Sequence, residues 1–250
     1  MKILVLVKAV RTDMVFDDIA DREAFTINPY DLYALQHILS IKKEGDYISC
    51  ISMGHIGSKQ ILAKCVALGA DEAIWLNDPA FAGADTIATS YTLSLLIRKY
   101  EYDLILCGAK AVDGETAQVP AGVAERLGIL CLSGTKMIDD IGKGFVVITR
   151  ENEVWTEKIE VTLPALVAFN SFTTNMNTIS MKNMRKALKT DISPVNISCI
   201  GADAKLCGMK GSKTKVLRTN PNVSYQNNSI YFEDVKLFSE YILRLIEKYK

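Results

Sequence analysis

The residues best suited to chemistry in this sequence lie in one stretch, GAKAVDGETAQVP, residues 108–120. An apolar run, DLILC, precedes it and AGVAERLG follows, the order of a strand emptying through a loop into a helix. Such junctions in α/β proteins hold phosphate, because the helix start offers free N–H groups and a positive dipole end. Yet the stretch has neither a G-x-G-x-x-G fingerprint nor a G-K-[ST] phosphate loop, and it carries two acids, Asp113 and Glu115. Pro120 lacks an N–H and is tolerated only in a helix's first turn. The helix is therefore expected to begin no earlier than about Ala117, leaving the amides of Ala117, Gln118 and Val119 exposed. Asp113 would repel phosphate if it pointed inward. It is better placed to accept from a ribose hydroxyl, an adenine amino group or the loop's own amides. A tight turn at Asp113-Gly114 followed by a capped helix, with no ligand, accounts for the same residues.

Three other segments read as carboxyl ends of strands: VKAV, SMGHIG and LNDPAFAGADT. All are rich in small residues, which let a ligand approach the backbone. DTIATS, from Asp85, is a second helix start. Neither start carries a Lys, so phosphate would rest on amides and on the hydroxyls of Thr86, Thr89, Ser90 and Thr116. Elsewhere the bland readings hold. His37 sits beside Gln36 on a helix as a surface or half-buried residue, whereas His55, at a strand end after Met53-Gly54, is open to a structural or a functional reading. Asp17-Asp18 reads as a solvated loop and Asp139-Asp140 as a polar turn. No Ser–His–Asp order and no metal-ligand cluster emerges, and a crevice without nucleophile or base favours holding a cofactor over cleaving one.

These residues need a scaffold, and the composition supports one. A chain of 250 residues and 27.6 kDa suits one large domain, or one with an appendage, that buries roughly 70–75% of its unfolded surface. Lys plus Arg and Asp plus Glu are 29 each, so no net field calls for nucleic acid or anionic membrane. The apolar run in MKILVLV stops at Lys8, shorter than a signal core, and no stretch reaches the length of a membrane span. The six cysteines show no C-x-x-C spacing and read as reduced core residues. A soluble cytoplasmic protein is expected.

To about residue 128 strands and helices alternate. KILVLV (2–7), YISCISM (47–53), EAIWLN (72–77) and DLILCG (103–108) read as buried strands. NPYDLYALQHILSIKKEG has Asn28 as N-cap, Pro29 at the first helical position and Leu32, Leu35, Ile38 and Leu39 at helical spacing. GSKQILAKCVALGA stops at Gly69, and DTIATSYTLSLLIRKY is capped by Asp85. Four such units predict an α/β fold with a doubly wound, mostly parallel sheet. Beyond 130, GFVVITRENEVWTEKIEVTL reads as two strands with a polar turn, and PALVAFN as another. Residues 171–228 look irregular with short helical pieces such as MKNMRKAL, and an amphipathic helix closes the chain near 233–250. The expected division is a nucleotide-binding α/β domain over 1–190 and an extended, partner-contacting C-terminal portion over 191–250.

The stretches INPYDLYAL, ALGADEAIWLND and YDLILCGAKAVDGETAQVPAGVAERLGI resemble the β subunit of electron transfer flavoproteins. The likeness runs the length of the chain and is greatest over 28–128. It implies a heterodimer with an α subunit, an adenine nucleotide in the β-subunit crevice, and electron exchange with an acyl-CoA dehydrogenase or other flavin dehydrogenase. The nucleotide is structural AMP in ordinary members and FAD in members that bifurcate electrons from NADH; DPAFAGADTIATS (78–90) resembles the latter. Carried over, the resemblance implies cofactor contacts at Leu6 and Lys8, Asn28 and Asp31, and Met53 and Gly54. Asp85, Thr86 and Thr89 would face the flavin portion. Gly108, Asp113, Gly114, Thr116, Ala117, Gln118 and Val119 would wrap the ribose and phosphates. No catalytic side chain or metal is implied, since redox chemistry belongs to the flavin. The sequence departs from relatives of the bifurcating type where Pro120 directly follows Val119 and where Asn177–Met181 replaces an Asn-Thr-Pro-Arg-Tyr-like stretch. The dehydrogenase-recognition loop, at Phe172–Asn175, lacks its usual leucine. A nucleotide-hydrolysing enzyme of the same superfamily and a ligand-free interaction module are the other readings; the first lacks a Ser-Gly-Gly-type loop at Val10–Asp13.

Overall fold

Short apolar runs punctuated by Gly and Asp become the centre of a nine-stranded, mostly parallel sheet in the computed structural model, which describes residues 1–15, 24–152, 154–215 and 230–248. In chain order, β1 (Lys2–Leu6) leads through an antiparallel pair, β2 (Ala9–Arg11) and β3 (Phe25–Ile27), into α1 (Pro29–Ile41). Next, β4 (Tyr47–Met53) precedes α2 (Ile56–Leu68), β5 (Glu72–Leu76) precedes α3 (Thr86–Ile97), and β6 (Leu104–Gly108) precedes α4 (Val119–Leu127). Then β7 (Leu130–Gly142), β8 (Phe145–Glu151) and β9 (Thr156–Thr162) pair antiparallel, and β10 (Ala165–Phe169) returns between β6 and β7. The chain continues through α5 (Met181–Lys189), β11 (Pro194–Val195), the four-residue turns α6 (Ile197–Ile200) and α7 (Gly208–Gly211), and α8 (Val235–Lys248).

The sheet order is β11-β5-β4-β1-β6-β10-β7-β8-β9. Successive side chains of a strand face opposite ways, so β1 sends Ile3 and Val5 to one layer and Leu4 and Leu6 to the other. On the first face lie Leu32, Leu35 and Ile38 of α1 with Ile61, Leu62 and Cys65 of α2. On the second lie Leu93, Leu96 and Ile97 of α3 with Val123 and Ala124 of α4. Covering on both faces explains why these strands read as continuous apolar runs.

Two expectations change. Asp139 and Asp140 lie within the long strand β7, not in a turn. Buried Leu132, Thr135 and Ile138 recur every third residue because β7 carries an extra residue opposite β10, between Leu132 and Thr135, and another opposite β8, between Thr135 and Met137. The period-2 signal that marks a strand is thereby erased. The segment 191–215, assigned from sequence to the C-terminal portion, packs within the first compact unit, Met1–Lys215, where β11 pairs with β5. A second unit begins at Val216; in it Phe232 packs against Phe238 and Tyr241 of α8. Asp17-Asp18 lies outside the described residues.

Helix α1 crosses β6 so closely that only a hydrogen fits at Gly108. A Cβ there would stand 2.4 Å from Tyr30 Cβ and 2.7 Å from Asp31 Oδ1, whereas one at Gly114 would meet nothing within 4 Å. Gly108→Ala should therefore cost about 1–3 kcal/mol of unfolding free energy in urea titration, and Gly114→Ala about 0.5 kcal/mol or less. Equal effects would contradict this packing.

Candidate functional site

From β1 the chain winds outward to β4 and β5, then returns to lay β6 on the other side of β1. At such a reversal neighbouring loops leave toward opposite faces and open a crevice beyond the carboxyl ends of the strands. The β1–β6 pairing runs from Ile3↔Leu104 to Val5↔Leu106, so the amides beyond it need other acceptors. Asp31, in the first turn of α1, supplies them. Its carboxylate accepts from Gly108 N (2.7 Å) and Lys8 N (2.9 Å). Burial pushes this acid up to about 6, outweighing the two amide bonds, the Asn28 side chain and the Lys8 charge that favour the carboxylate.

Asn28 occupies the N-cap position of α1 but makes no side-chain cap bond. Instead its Nδ2 donates to Lys110 O (2.9 Å) and its Oδ1 accepts from Val112 N (3.2 Å), so it anchors the start of the loop after β6. Within that loop Ala111 O accepts from Gly114 N and Glu115 N. Glu115 and Ala117 then take positive φ of 49° and 54°, and Gln118 returns to φ −98°, ψ −22°. A left-handed residue followed by a right-handed one turns three consecutive N–H groups to one side, a concavity that fits an anion. Those groups belong to Ala117, Gln118 and Val119, and among the described residues they donate to no protein acceptor. Pro120 follows as the second helical residue, where its missing N–H costs nothing.

The loop's acids are already paired. Lys8 Nζ holds Asp113 Oδ1 at 2.6 Å, and Lys110 Nζ holds Glu115 Oε1 at 3.2 Å. The lysines come from the ends of β1 and β6, not from the helix starts. Lys110 also lies over the Tyr30 ring at 5.7 Å, and Tyr30 packs against Phe172.

The second helix start differs. Asp85 Oδ1 caps α3 by accepting from Ile87 N and Ala88 N, both at 3.0 Å, and Oδ2 accepts from Lys213 N and Thr214 N at 2.6 and 3.0 Å. Burial opposes the Asp85 charge, but the amides of Ala88, Thr214, Lys213 and Ile87 outweigh it and hold the carboxyl below its ordinary value. The amides it caps are not available to an anion. Thr86 Oγ1 donates to Gln118 Oε1 at 3.1 Å and so ties the two helix starts together.

Of the residues read from sequence, Lys8, Asn28, Asp31, Gly108 and Asp113 are thus knit around the β1 and β6 ends, and Asp85, Thr86 and Gln118 around the helix starts. Gly114, Thr116, Ala117 and Val119 belong to the same loop and helix start. Thr89 is half-buried one turn into α3. Leu6 turns its side chain into the core, leaving its backbone at the crevice. Met53 and Gly54 end β4; Gly54 N bonds to Leu76 O of β5 and Gly54 O accepts from Trp75 Nε1. Neither histidine takes part: His55 caps α2 through Nδ1, while His37 Nε2 accepts from Ile138 N on β7, and burial lowers its pKa. The residues not foreseen are Lys110, Tyr30 and the Ser212–Thr214 segment; no local spacing marks the last, whose contacts with Asp85 span more than a hundred residues. Among the described residues no group of His, Cys, Asp or Glu could hold a metal ion, and no helix is long and apolar enough to cross a membrane.

A mostly parallel α/β sheet with an anion-ready crevice at its strand reversal defines a class of proteins that bind ligands beyond the carboxyl ends of their strands. The electron transfer flavoprotein domain matches residues 18–198. The chain is 35% identical to electron transfer flavoprotein subunit beta of Thermoanaerobacterium thermosaccharolyticum over 99% of this chain and 97% of that one. It is 37% identical to the protein FixA of Azotobacter vinelandii, covering 76% and 70% of the two chains. It is also 37% identical to the caffeyl-CoA reductase–Etf complex subunit CarD of Acetobacterium woodii, covering 77% and 74%. The chain belongs to the electron transfer flavoprotein family, on its β-subunit side.

The buried Asp31 has a measurable signature. Unfolded, it titrates near 3.8; folded, near 6. Folding takes up a proton between these values, so the stability contributed by the protonated acid is complete below the lower value and is lost as pH rises through the upper. Between about pH 4 and 7 the native protein should lose about 2–3 kcal/mol relative to Asp31→Asn, which cannot ionise there, in urea unfolding. A difference independent of pH would place Asp31 at an ordinary carboxylate value.

Proposed function

We propose that this chain is the nucleotide-carrying β subunit of a cytoplasmic electron transfer flavoprotein, with FAD in the crevice at the β1 and β6 ends. With an α subunit it passes electrons between NADH, the complex's flavins and a flavin dehydrogenase of the acyl-CoA type, by bifurcation. The observation that carries the nucleotide reading is the set of free amides at Ala117, Gln118 and Val119, in a left-handed to right-handed bend at an uncapped helix start. Bare backbone amides at a helix start, beside loop acids already balanced by Lys8 and Lys110, fit a phosphate-bearing ligand.

Bound flavin would supply the redox chemistry. The chain's own residues bind, orient and neutralise. Lys8 offsets the charge of Asp113, so the acid does not repel a nearby phosphate. With α3 capped by Asp85, the phosphates are directed to α4, and Thr89 is left to offer its hydroxyl to an uncharged ring, the Thr86 hydroxyl already donating to Gln118. The name of the Acetobacterium relative supports a reductase of a CoA ester as redox partner, and the exposed apolar residues of α8, such as Leu237, Phe238 and Leu243, support partner contact by the C-terminal portion.

Nucleotides released by denaturing the purified αβ complex test the assignment. Two FAD per heterodimer are expected. One FAD with one AMP would replace bifurcation by an ordinary carrier with structural AMP, and no adenine nucleotide in the β chain would sink the nucleotide reading. The bend itself is open to mutation. Ala117→Val forces a β-branched residue into a left-handed conformation and should cost about 1–3 kcal/mol, as weaker AMP or FAD binding in calorimetry or as lost stability. Ala117→Gly should bind at least as well as the native chain.

A further inference from the structure

Outside the crevice, the segment Gly208–Thr214 is built onto the loop before α3 with unusual closeness. Met209 N donates to Ala82 O at 2.9 Å, and a Cβ at Gly208 would stand 2.2 Å from Ala80 O, so the backbones touch directly. Ser212 is buried; its Oγ accepts from Asp85 N (2.8 Å) and donates to Gly208 O (2.8 Å), with Gly83 O at 3.1 Å. Lys213 N and Thr214 N then fill the Asp85 oxygen that α3 leaves free. Behind them Cys207 is fully buried against Thr92, whose hydroxyl lies 3.8 Å from its sulfur.

From this anchorage a continuous chain of bonds runs to the crevice. Asp85 fixes the first turn of α3, the next residue Thr86 donates to Gln118 Oε1, and Gln118 carries the middle of the three free amides at the start of α4. We propose that Gly208–Thr214 is a positioning element of the nucleotide site. It sets α3 through Asp85 and, through Thr86 and Gln118, the direction of the amides at 117–119. This inference rests on the nucleotide reading above. Because coupling is reciprocal, a nucleotide that fixes Gln118 must in turn hold the segment more tightly.

Hydrogen exchange of the full-length chain, stripped of nucleotide and then saturated with AMP, reads this coupling directly. AMP binding is first established by calorimetry. Exchange in a peptide covering 207–215 should slow severalfold when AMP is bound. Thr86→Val cuts the link without touching the segment: AMP should bind about 3- to 10-fold more weakly, and the segment should no longer respond to it. Thr86→Ser keeps the hydroxyl and should keep both properties. Bound AMP that leaves exchange at 207–215 unchanged in the native chain overturns the proposal, as does an unaltered response in Thr86→Val. A chain that binds neither AMP nor FAD overturns the nucleotide reading instead, and calorimetry reveals that before any exchange is measured.

Discussion

The crevice depends on one carboxyl group. Where β1 and β6 stop pairing, the amides of Lys8 and Gly108 would be orphaned inside the protein, and Asp31 accepts from both. A buried amide without an acceptor costs about 1–3 kcal/mol, so this bridge lets two strands part without penalty. It also pulls α1 against β6 until residue 108 has no room for a side chain. Asn28, three residues earlier, repeats the device on Lys110 O and Val112 N. One helix start therefore closes the strand ends and anchors the loop that bears the free amides.

This division of labour explains which parts of the molecule were legible in advance. Strands β1, β4, β5 and β6 announce themselves as apolar runs, since both faces are covered, and α1 to α3 carry polar residues before their first turns and apolar residues at helical spacing, with Gly69 ending α2. The exposed amides at 117–119 followed from Pro120 alone, because a residue without an N–H limits where a helix can start. Strand β7 was illegible for an equally local reason: an extra residue opposite β10 and another opposite β8 convert its period of two into three.

The interactions that cross the fold were the least legible. Asn28 looks like a helix cap because residue type and position fit; only the return of β6 beside β1 offers it better partners 82 and 84 residues away. Lys8 and Asp113, 105 residues apart, look like an isolated base and an awkward acid until the sheet order makes them neighbours. Asp85 was readable as a cap, but its second oxygen is claimed by amides 128 and 129 residues further on. No local pattern encodes such a pairing.

The two helix starts show how charge is partitioned at the crevice. Both α3 and α4 present a positive dipole end to it, yet one is neutralised by Asp85 from within and the other is left bare. An internal carboxylate at α3 excludes an anion there as firmly as bare amides invite one at α4. The loop acids, which would undo that invitation, are matched by Lys8 and Lys110 at 2.6 and 3.2 Å. Binding therefore needs only one anionic contact zone, with neutral and hydroxyl-rich surroundings beside it. That pattern suits an elongated ligand with a phosphate part and an uncharged ring.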